Sequence, residues 1–341
     1  MILVTGASGH LGANLVRGLL DDGHEVRVLL REGSNNGAMA GLDVAPAYGD
    51  LRDPAALKLA VAGCGRVFHC AAMLSTVPGH ERELYDCNVL GTRNLLTACR
   101  EAGVERVVVT GSFSAVGHEA GRPSVEEMPF YPFGKLLPYA HTKALVEHEC
   151  LKAVVEGLDV VVAVSTAILG PHDHKPSRMG RLLLDFAHGR LHAYLPGGFE
   201  FVSASDLVRG HLLAMGHGRS GHRYIFSTSF LSVDDLVGIY ETVTGRRRPV
   251  LRLPETVMTG LANISERLFG KMLPAADRRF TPAAVAFLRS RRRADCGKAR
   301  DELGYRPTAI STAVSDAYDC FVRRGLILAP ARQAVDGEGP R

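Results

Sequence analysis

Tyr139-Ala-His-Thr-Lys143 sets a phenol and an ammonium four positions apart. On a helix such a pair shares one face, about one turn apart. A phenol with an ordinary pKa near ~10 is a poor acid or base at neutral pH. A cation beside it stabilises the phenolate and lowers that pKa, so the pair becomes a proton donor to a carbonyl under reduction. Ser112 ends Val107-Val-Val-Thr-Gly-Ser112, just past a strand end, where its hydroxyl can hydrogen-bond an oxygen as charge develops on it. Ser114 is a second candidate for that role. Asn88 can tie Lys143 to water as a proton relay, or simply cap and pack. The plain alternatives are a surface Tyr–Lys pair and a serine that satisfies its own loop.

Positioning these groups requires strands that deliver them to one edge, and the chain begins with such a unit. Ile2, Leu3 and Val4 read as a strand buried on both faces, and Leu15, Val16, Leu19 and Leu20 line one face of a following helix. Between them stand Gly6, Gly9 and Gly12. Gly6 suits the tight turn, Gly9 a close backbone approach to a ligand, and Gly12 close packing of helix on sheet. The free N–H groups of the first helical turn favour an anion such as a pyrophosphate. The second strand ends at Leu29-Leu-Arg31, where NAD sites usually carry Asp or Glu for the ribose 2′-OH. A guanidinium there grips a phosphate, so NADP(H) is expected over NAD(H). The alternative for Arg31 is a solvated strand-end residue, and Glu32 beside it blurs the preference.

Strands and helices then alternate. Asp53 before Pro54 is an expected N-cap, 66–72, 106–110 and 159–164 read as strands, and 85–102 and 139–155 as helices. That alternation predicts an α/β chain, a Rossmann-type doubly wound parallel sheet with right-handed crossovers and ligands at the carboxyl ends of its strands. After Leu169 the rhythm changes to Pro- and His-bearing loops and later helices. The expected organisation is a dinucleotide-binding domain from 1–169 and 199–228, a smaller, mainly helical substrate-binding domain from 170–198 and 229–325, and a disordered tail at 326–341.

The 341 residues are 46% hydrophobic and 22% charged, which supports a real core. A net charge of +4 is too small to point to nucleic acid. The basic runs at 246–248 and 289–293 read as solvated faces rather than a dock for an acidic carrier protein. Seven cysteines without a Cys-x-x-Cys pair fit a reducing, cytoplasmic setting. No apolar run approaches the ~18 residues needed to span a bilayer, so no membrane partner is expected. His172 and His174, beside Pro171 and Pro176, read as loop residues and not as a metal pair; no metal is expected.

Taken together, these motifs resemble the extended short-chain dehydrogenase/reductases, over roughly residues 1–325. Thr5-Gly-Ala-Ser-Gly-His-Leu-Gly12 is similar to that family's nucleotide turn, Gly49-Asp-Leu51 to its adenine loop, and Cys70-Ala-Ala72 to the strand end beside the cofactor. Asn88-Val-Leu-Gly-Thr-Arg-Asn-Leu-Leu96 is similar to its signature helix, and Ser112, Tyr139 and Lys143 fall on its catalytic triad. Gly170-Pro171, Pro196–Val202, Asp206–His211 and Glu302–Pro307 also match, and the run from Gly170 to Phe199 is most similar to the dihydroflavonol-reductase-like branch. The resemblance implies cofactor contacts from Gly6, Ser8, Gly9, His10, Leu11, Gly12, Arg31, Asp50, Leu51, Ala71, Ala72, Tyr139, Lys143, Thr166 and Ile168. It implies hydride transfer from the nicotinamide, Tyr139 as proton donor, Ser112 steadying the oxygen, Lys143 on the nicotinamide ribose, and a homodimer paired through the helices of Asn88 and Tyr139. Two departures stand out: Val202-Ser-Ala-Ser-Asp206 replaces a common Val-Asp-Val-Arg-Asp, and Ser165 stands where a proline usually follows the sixth strand.

The expected activity is reduction of a ketone, or oxidation of a secondary alcohol, on a fairly apolar small molecule. Met73, Ser75 and the rest of 73–77, Ser112, Phe113, Ser114, Tyr139 and Met179 are candidate substrate contacts. A nucleotide-sugar epimerase or dehydratase with tightly bound NAD is the second reading; Arg31 argues against it, while Arg178 and Arg181 could serve a diphosphate. A non-enzymatic NADPH-binding regulator is the third, and it has no need of a proton donor.

Overall fold

The computed structural model describes residues 1–75, 79–131, 138–247, 251–254 and 287–328. Val77 and nearly all of the expected disordered tail lie outside these residues.

Seven parallel strands form the central sheet: β1 (Ile2–Thr5), β2 (Val26–Leu30), β3 (Ala45–Tyr48), β4 (Arg66–His69), β5 (Arg106–Ser112), β6 (Val160–Ser165) and, from much later in the chain, Arg223–Phe226. Their spatial order places β3 at one edge and Arg223–Phe226 at the other, with β1 beside β4 and β4 beside β5. This is the doubly wound α/β sheet that the alternation predicts. β1 and β6 are buried at every position, as their unbroken apolar runs require. β3 has no signal in the sequence. Ala-Pro-Ala-Tyr carries no apolar alternation, and its proline is tolerated because the strand lies at an edge.

Helices cover both faces. α1 (His10–Asp21) lies on one face, and α2 (Pro54–Val61), α4 (Gly91–Glu101) and α5 (Pro138–Val155) pack on the other, giving two separate apolar cores. Asp53 caps α2 as expected, its carboxylate accepting from the N–H groups of Ala55 and Ala56 at 2.9 and 3.2 Å. The expected single helix over 85–102 is interrupted: α3 (Glu81–Leu84) widens into a π-turn at Tyr85–Leu90 before α4 begins. Thr92 donates from its hydroxyl to the Asn88 carbonyl at 2.6 Å, satisfying an acceptor that the wider turn exposes.

After β6 come β7 (Ala167–Leu169), α6 (Arg178–Ala187), β8 (Ala193–Tyr194), β9 (Gly198–Ser203), α7 (Ala204–His217), β10 (Arg223–Phe226, the far edge of the main sheet), β11 (Ser229–Ser232), α8 (Val233–Thr244), β12 (Leu251–Arg252), α9 (Gly297–Leu303) and α10 (Ile310–Arg323). β9 pairs with β7 in parallel and with β11 antiparallel, and a third apolar core joins this small sheet to α6, α8 and α10. The Val202-Ser-Ala-Ser-Asp206 departure has a local purpose. Ser203 is the N-cap of α7, accepting from the Asp206 N–H at 2.9 Å, and the buried Asp206 accepts from Thr308 N–H at 2.8 Å and from the Thr228 hydroxyl at 3.2 Å. The substitution keeps a cap and leaves Asp206 to join three distant segments.

Candidate active site

The glycine turn is dictated by contact distances. Gly6 adopts φ +72°, and a Cβ there would meet the Ala71 backbone nitrogen at 2.6 Å. A Cβ on Gly12 would run into the Gly6 carbonyl, so α1 closes on the turn only because that position has no side chain. α1 begins after Gly9 with no side-chain cap and no acidic residue in its first turn, leaving N–H groups for an anion. These features fit a dinucleotide pyrophosphate. Leu11 is buried in the core behind the turn. The His10 side chain turns to a neighbouring loop instead, where its Nε2 donates to the carbonyls of Gly170 and Pro171 at 3.2 and 3.1 Å. Asn14 donates to Pro171 at 2.8 Å. The loop after β7 is thereby pinned over the turn, and it brings Lys175 to the Ser8 hydroxyl at 3.5 Å.

Arg31 is exposed at the end of β2, on the same side as Lys175, whose pKa is lowered by burial and then by the Arg31 charge. Asp50 is held by Arg52 through hydrogen bonds of 2.7 and 3.0 Å, and that guanidinium keeps its pKa below the usual carboxylate range. Leu51 is buried against Gly91.

At the other side of the sheet edge, β5 delivers Ser112 beside Ser165 of β6, its direct register partner. The Ser112 and Ser114 hydroxyls are 2.8 Å apart. Tyr139, in the first turn of α5, is brought near Ser112, whose hydroxyl favours its phenolate. Lys143 is buried one turn on, and its Nζ donates to the Thr110 carbonyl of β5 at 2.6 Å. This arrangement corrects one expectation. The Tyr139 pKa is raised, not lowered, because burial disfavours the phenolate and the nearby Ser112 hydroxyl only partly opposes it. Lys143 spends its ammonium on a backbone carbonyl, and burial lowers its own pKa.

Asn88 sits in the π-turn with its side chain committed to protein. Its amide oxygen accepts from Met73 N–H at 2.7 Å, and its amide nitrogen donates to the Met73 carbonyl at 2.9 Å and to the Thr142 hydroxyl at 3.1 Å. The side chain therefore clamps the segment after β4 to α5 instead of reaching Lys143. Ser75 is buried and lies 3.0 Å from His80. Phe113 is buried with its ring beneath the Arg292 guanidinium, and Met179 packs in the core of the smaller sheet. Thr166 donates to the Phe226 carbonyl at 3.4 Å, and Ile168 pairs with Val202.

Two buried histidines, His69 and His211, have no role assigned from the sequence, although His211 ends the matching Asp206–His211 run. Thr92 gives its proton to the Asn88 carbonyl, so His69 must donate from Nε2 to Thr92 at 2.9 Å and accept at Nδ1 from the Thr5 hydroxyl at 2.7 Å. A chain of hydrogen bonds thus links the glycine turn to the π-turn. Burial pushes the His69 imidazole down to about 3. His211 accepts from the Thr110 hydroxyl at 2.9 Å while donating to the Leu207 carbonyl, and burial pushes it down to about 4. Each lies in a stretch dense with apolar residues, so its sequence signal is only a polar residue where a core residue was due. Among the described residues no helix is long and apolar enough to cross a membrane, and no group of three or more His, Cys, Asp or Glu side chains is placed to hold a metal ion.

A model of the NAD dependent epimerase/dehydratase family matches residues 2–226. Sterol demethylase protein B from Methylococcus capsulatus is 43% identical over 325 residues, covering 95% of this chain and 99% of that one. A putative dihydroflavonol 4-reductase from Synechocystis is 33% identical over 334 residues, covering 95% of each. Among solved structures, a dTDP-glucose 4,6-dehydratase from Streptomyces venezuelae with NAD bound superposes with a TM-score of 0.76 at 25% identity, covering 96% of this chain and 98% of that one.

Proposed function

This chain belongs to the NAD-dependent epimerase/dehydratase family as an NAD(P)-dependent oxidoreductase, and we propose that it interconverts a ketone and a secondary alcohol on a fairly apolar small molecule, with NADP(H) as the preferred cofactor. The observation that carries the reading is the Ser112–Tyr139 pair at the end of β5, with Lys143 buried beneath it. The similarity to a sterol demethylase component and to a putative dihydroflavonol reductase supports a polycyclic or phenolic substrate over a sugar.

Gly6, Gly9 and Gly12 would hold the cofactor's pyrophosphate, Arg31 its 2′-phosphate, and Lys143 its nicotinamide ribose. When bound, the nicotinamide supplies or accepts the hydride. Everything else falls to the protein. Tyr139 is held as a neutral phenol by its surroundings, which suits a group that must give its proton to the substrate oxygen. Ser112 donates to that oxygen as negative charge gathers on it, with Ser114 able to take over its hydrogen bond. Lys143 uses one N–H on Thr110, and its remaining donors are available to a ribose. In the oxidative direction Tyr139 receives the alcohol proton, so that direction gains from alkaline pH. The protein is read as a cytoplasmic homodimer paired through the helices of Asn88 and Tyr139.

The competing reading is a nucleotide-sugar epimerase or dehydratase, favoured by the likeness to the dTDP-glucose dehydratase. Mass spectrometry of the purified protein, followed by panels of carbonyl compounds, hydroxysteroids and nucleotide sugars with each cofactor, separates the two. The expected outcome is exchangeable NADP(H) and turnover of an apolar ketone or alcohol. Firmly retained NAD with turnover of a nucleotide sugar overturns the proposal.

A further inference from the structure

A cavity of about 330 Å³ opens at the far edge of the main sheet, between α5, the loop before it, the start of β10 and α9. Small-molecule sites commonly run from ~300 to ~1,000 Å³. Neither Ser112 nor Tyr139 lines this one. It lies by Arg223, the first residue of β10, whereas Ser112 is the last residue of β5, at the end where parallel sheets bind their ligands. Phe130, Leu151 and Val162 supply apolar wall, and Leu151 is 46% exposed.

The charges around it do not balance. Glu126, Glu127 and Glu147 line the cavity, against Arg223 and Lys298. His222 adds no charge at neutral pH, because burial and then Lys298 lower its pKa. Both cations are committed. Arg223 donates from Nε to the Glu126 carbonyl at 2.7 Å, from Nη2 to the Met128 carbonyl and from Nη1 to Glu147 Oε2 at 3.0 Å. Lys298 donates to the Arg223 carbonyl at 3.1 Å, with its ammonium 5.0 Å from the centre of the Tyr224 ring. Glu126 accepts from the Ile225 N–H at 2.7 Å. Glu147 is 3% exposed, and its Oε1 has no hydrogen-bond partner among the described residues. Burial raises its pKa, and Arg223 opposes that only in part. A clamp on the loop explains Oε2, but not a bare carboxylate oxygen beside a cavity with one negative charge too many, which is costly unless a donor meets it. A metal ion is not the match, since among the described residues no group of three or more His, Cys, Asp or Glu side chains is placed to hold one. A single positive charge on an apolar body suits both the carboxylates and the wall of Phe130 and Leu151.

We propose that this cavity is a second ligand site, for a small organic ammonium that donates to Glu147 and lays its apolar body against Phe130 and Leu151. The site is independent of the reaction assigned above. The test titrates the full chain with phenethylamine, its neutral counterpart phenethyl alcohol and the anion phenylacetate, by calorimetry at pH 7 and matched ionic strength. The wild type is expected to bind the amine about tenfold more tightly than the alcohol, the scale of a charge-assisted hydrogen bond, and to bind phenylacetate more weakly still. Saturating NADPH should leave the amine titration unchanged. Glu147→Gln should bring the amine-to-alcohol ratio near one. Should that variant fail to fold for want of its bond to Arg223, Glu127→Gln, at an exposed position, should lower amine affinity by roughly threefold and alcohol affinity very little. A wild type that does not distinguish amine from alcohol overturns the proposal and needs no variant to fold. So does displacement of the amine by NADPH, which would put it in the cofactor cleft. A preference that survives Glu147→Gln, or survives Glu127→Gln where the first variant does not fold, overturns it as well.

Discussion

The two ends of the proposed active cleft are built on different plans. At the cofactor end, eight consecutive residues, Thr5 to Gly12, make the turn, and backbone contacts between Gly6, Gly12 and Ala71 dictate its shape. At the proposed substrate end, Ser112 and Tyr139 come from separate segments of the chain, and side chains do the holding. The lesson is one of tolerance. A turn defined by absent Cβ atoms leaves no room for substitution, whereas a site assembled from side chains can exchange one group for another and change its substrate.

Variants can break or sharpen this contrast. The largest expected effect belongs to the substrate end. Tyr139→Phe should lower turnover by about 10² or more while leaving cofactor affinity intact, the usual scale for a lost acid–base group. Near-normal turnover, followed by stopped-flow absorbance of NADPH, would remove the assigned donor. At the cofactor end, NADPH should bind more tightly than NADH, and Arg31→Ala should weaken NADPH by about tenfold, or ~1.4 kcal/mol, and NADH very little. Lys175→Ala, whose ammonium sits at Ser8, should weaken both cofactors alike. Equal affinities in the wild type, by fluorescence titration, would leave Arg31 without its role.

The smallest effect concerns the seam between the ends. His69 and His211 are neutral in the folded protein, at about 3 and about 4 against an ordinary ~6.5. Once unfolded, the chain binds a proton at each below ~6.5, and the folded protein does so only far lower. Stability therefore falls as pH drops from ~6.5 towards ~4, by up to ~1.4 kcal/mol per pH unit for each histidine. Urea unfolding at several pH values should show a shallower slope in His69→Gln than in the wild type. Identical slopes would mean that His69 is protonated in the folded protein.

Much of the nucleotide-binding half is legible in the sequence because its signals are local. Buried parallel strands need continuous apolar runs, and Asp53 announces α2 through a bond two residues away. β3 is silent because an edge strand held by backbone bonds needs no apolar pattern. The π-turn is silent because Tyr85–Leu90 has ordinary helical composition, and its extra width is supported by Thr92, His69 and Asn88 acting together. The direction of the Tyr139 pKa is hidden for a related reason. Spacing shows that Lys143 lies one turn away, but not that its ammonium goes to the Thr110 carbonyl or that the phenol is enclosed.

The sequence by itself determined the α/β alternation, the glycine turn and the pairing of Tyr139 with Lys143 on one helix, because each depends on sterics or periodicity within a dozen residues. Only the tertiary structure decided that Asn88 clamps Met73, that His69 bridges the two turns, that Lys175 folds back to Ser8, and that the buried Arg292 donates to the carbonyls of Phe113 and Val116. Those partners are separated by up to 179 positions, and burial and hydrogen-bond direction arise only once distant segments pack together.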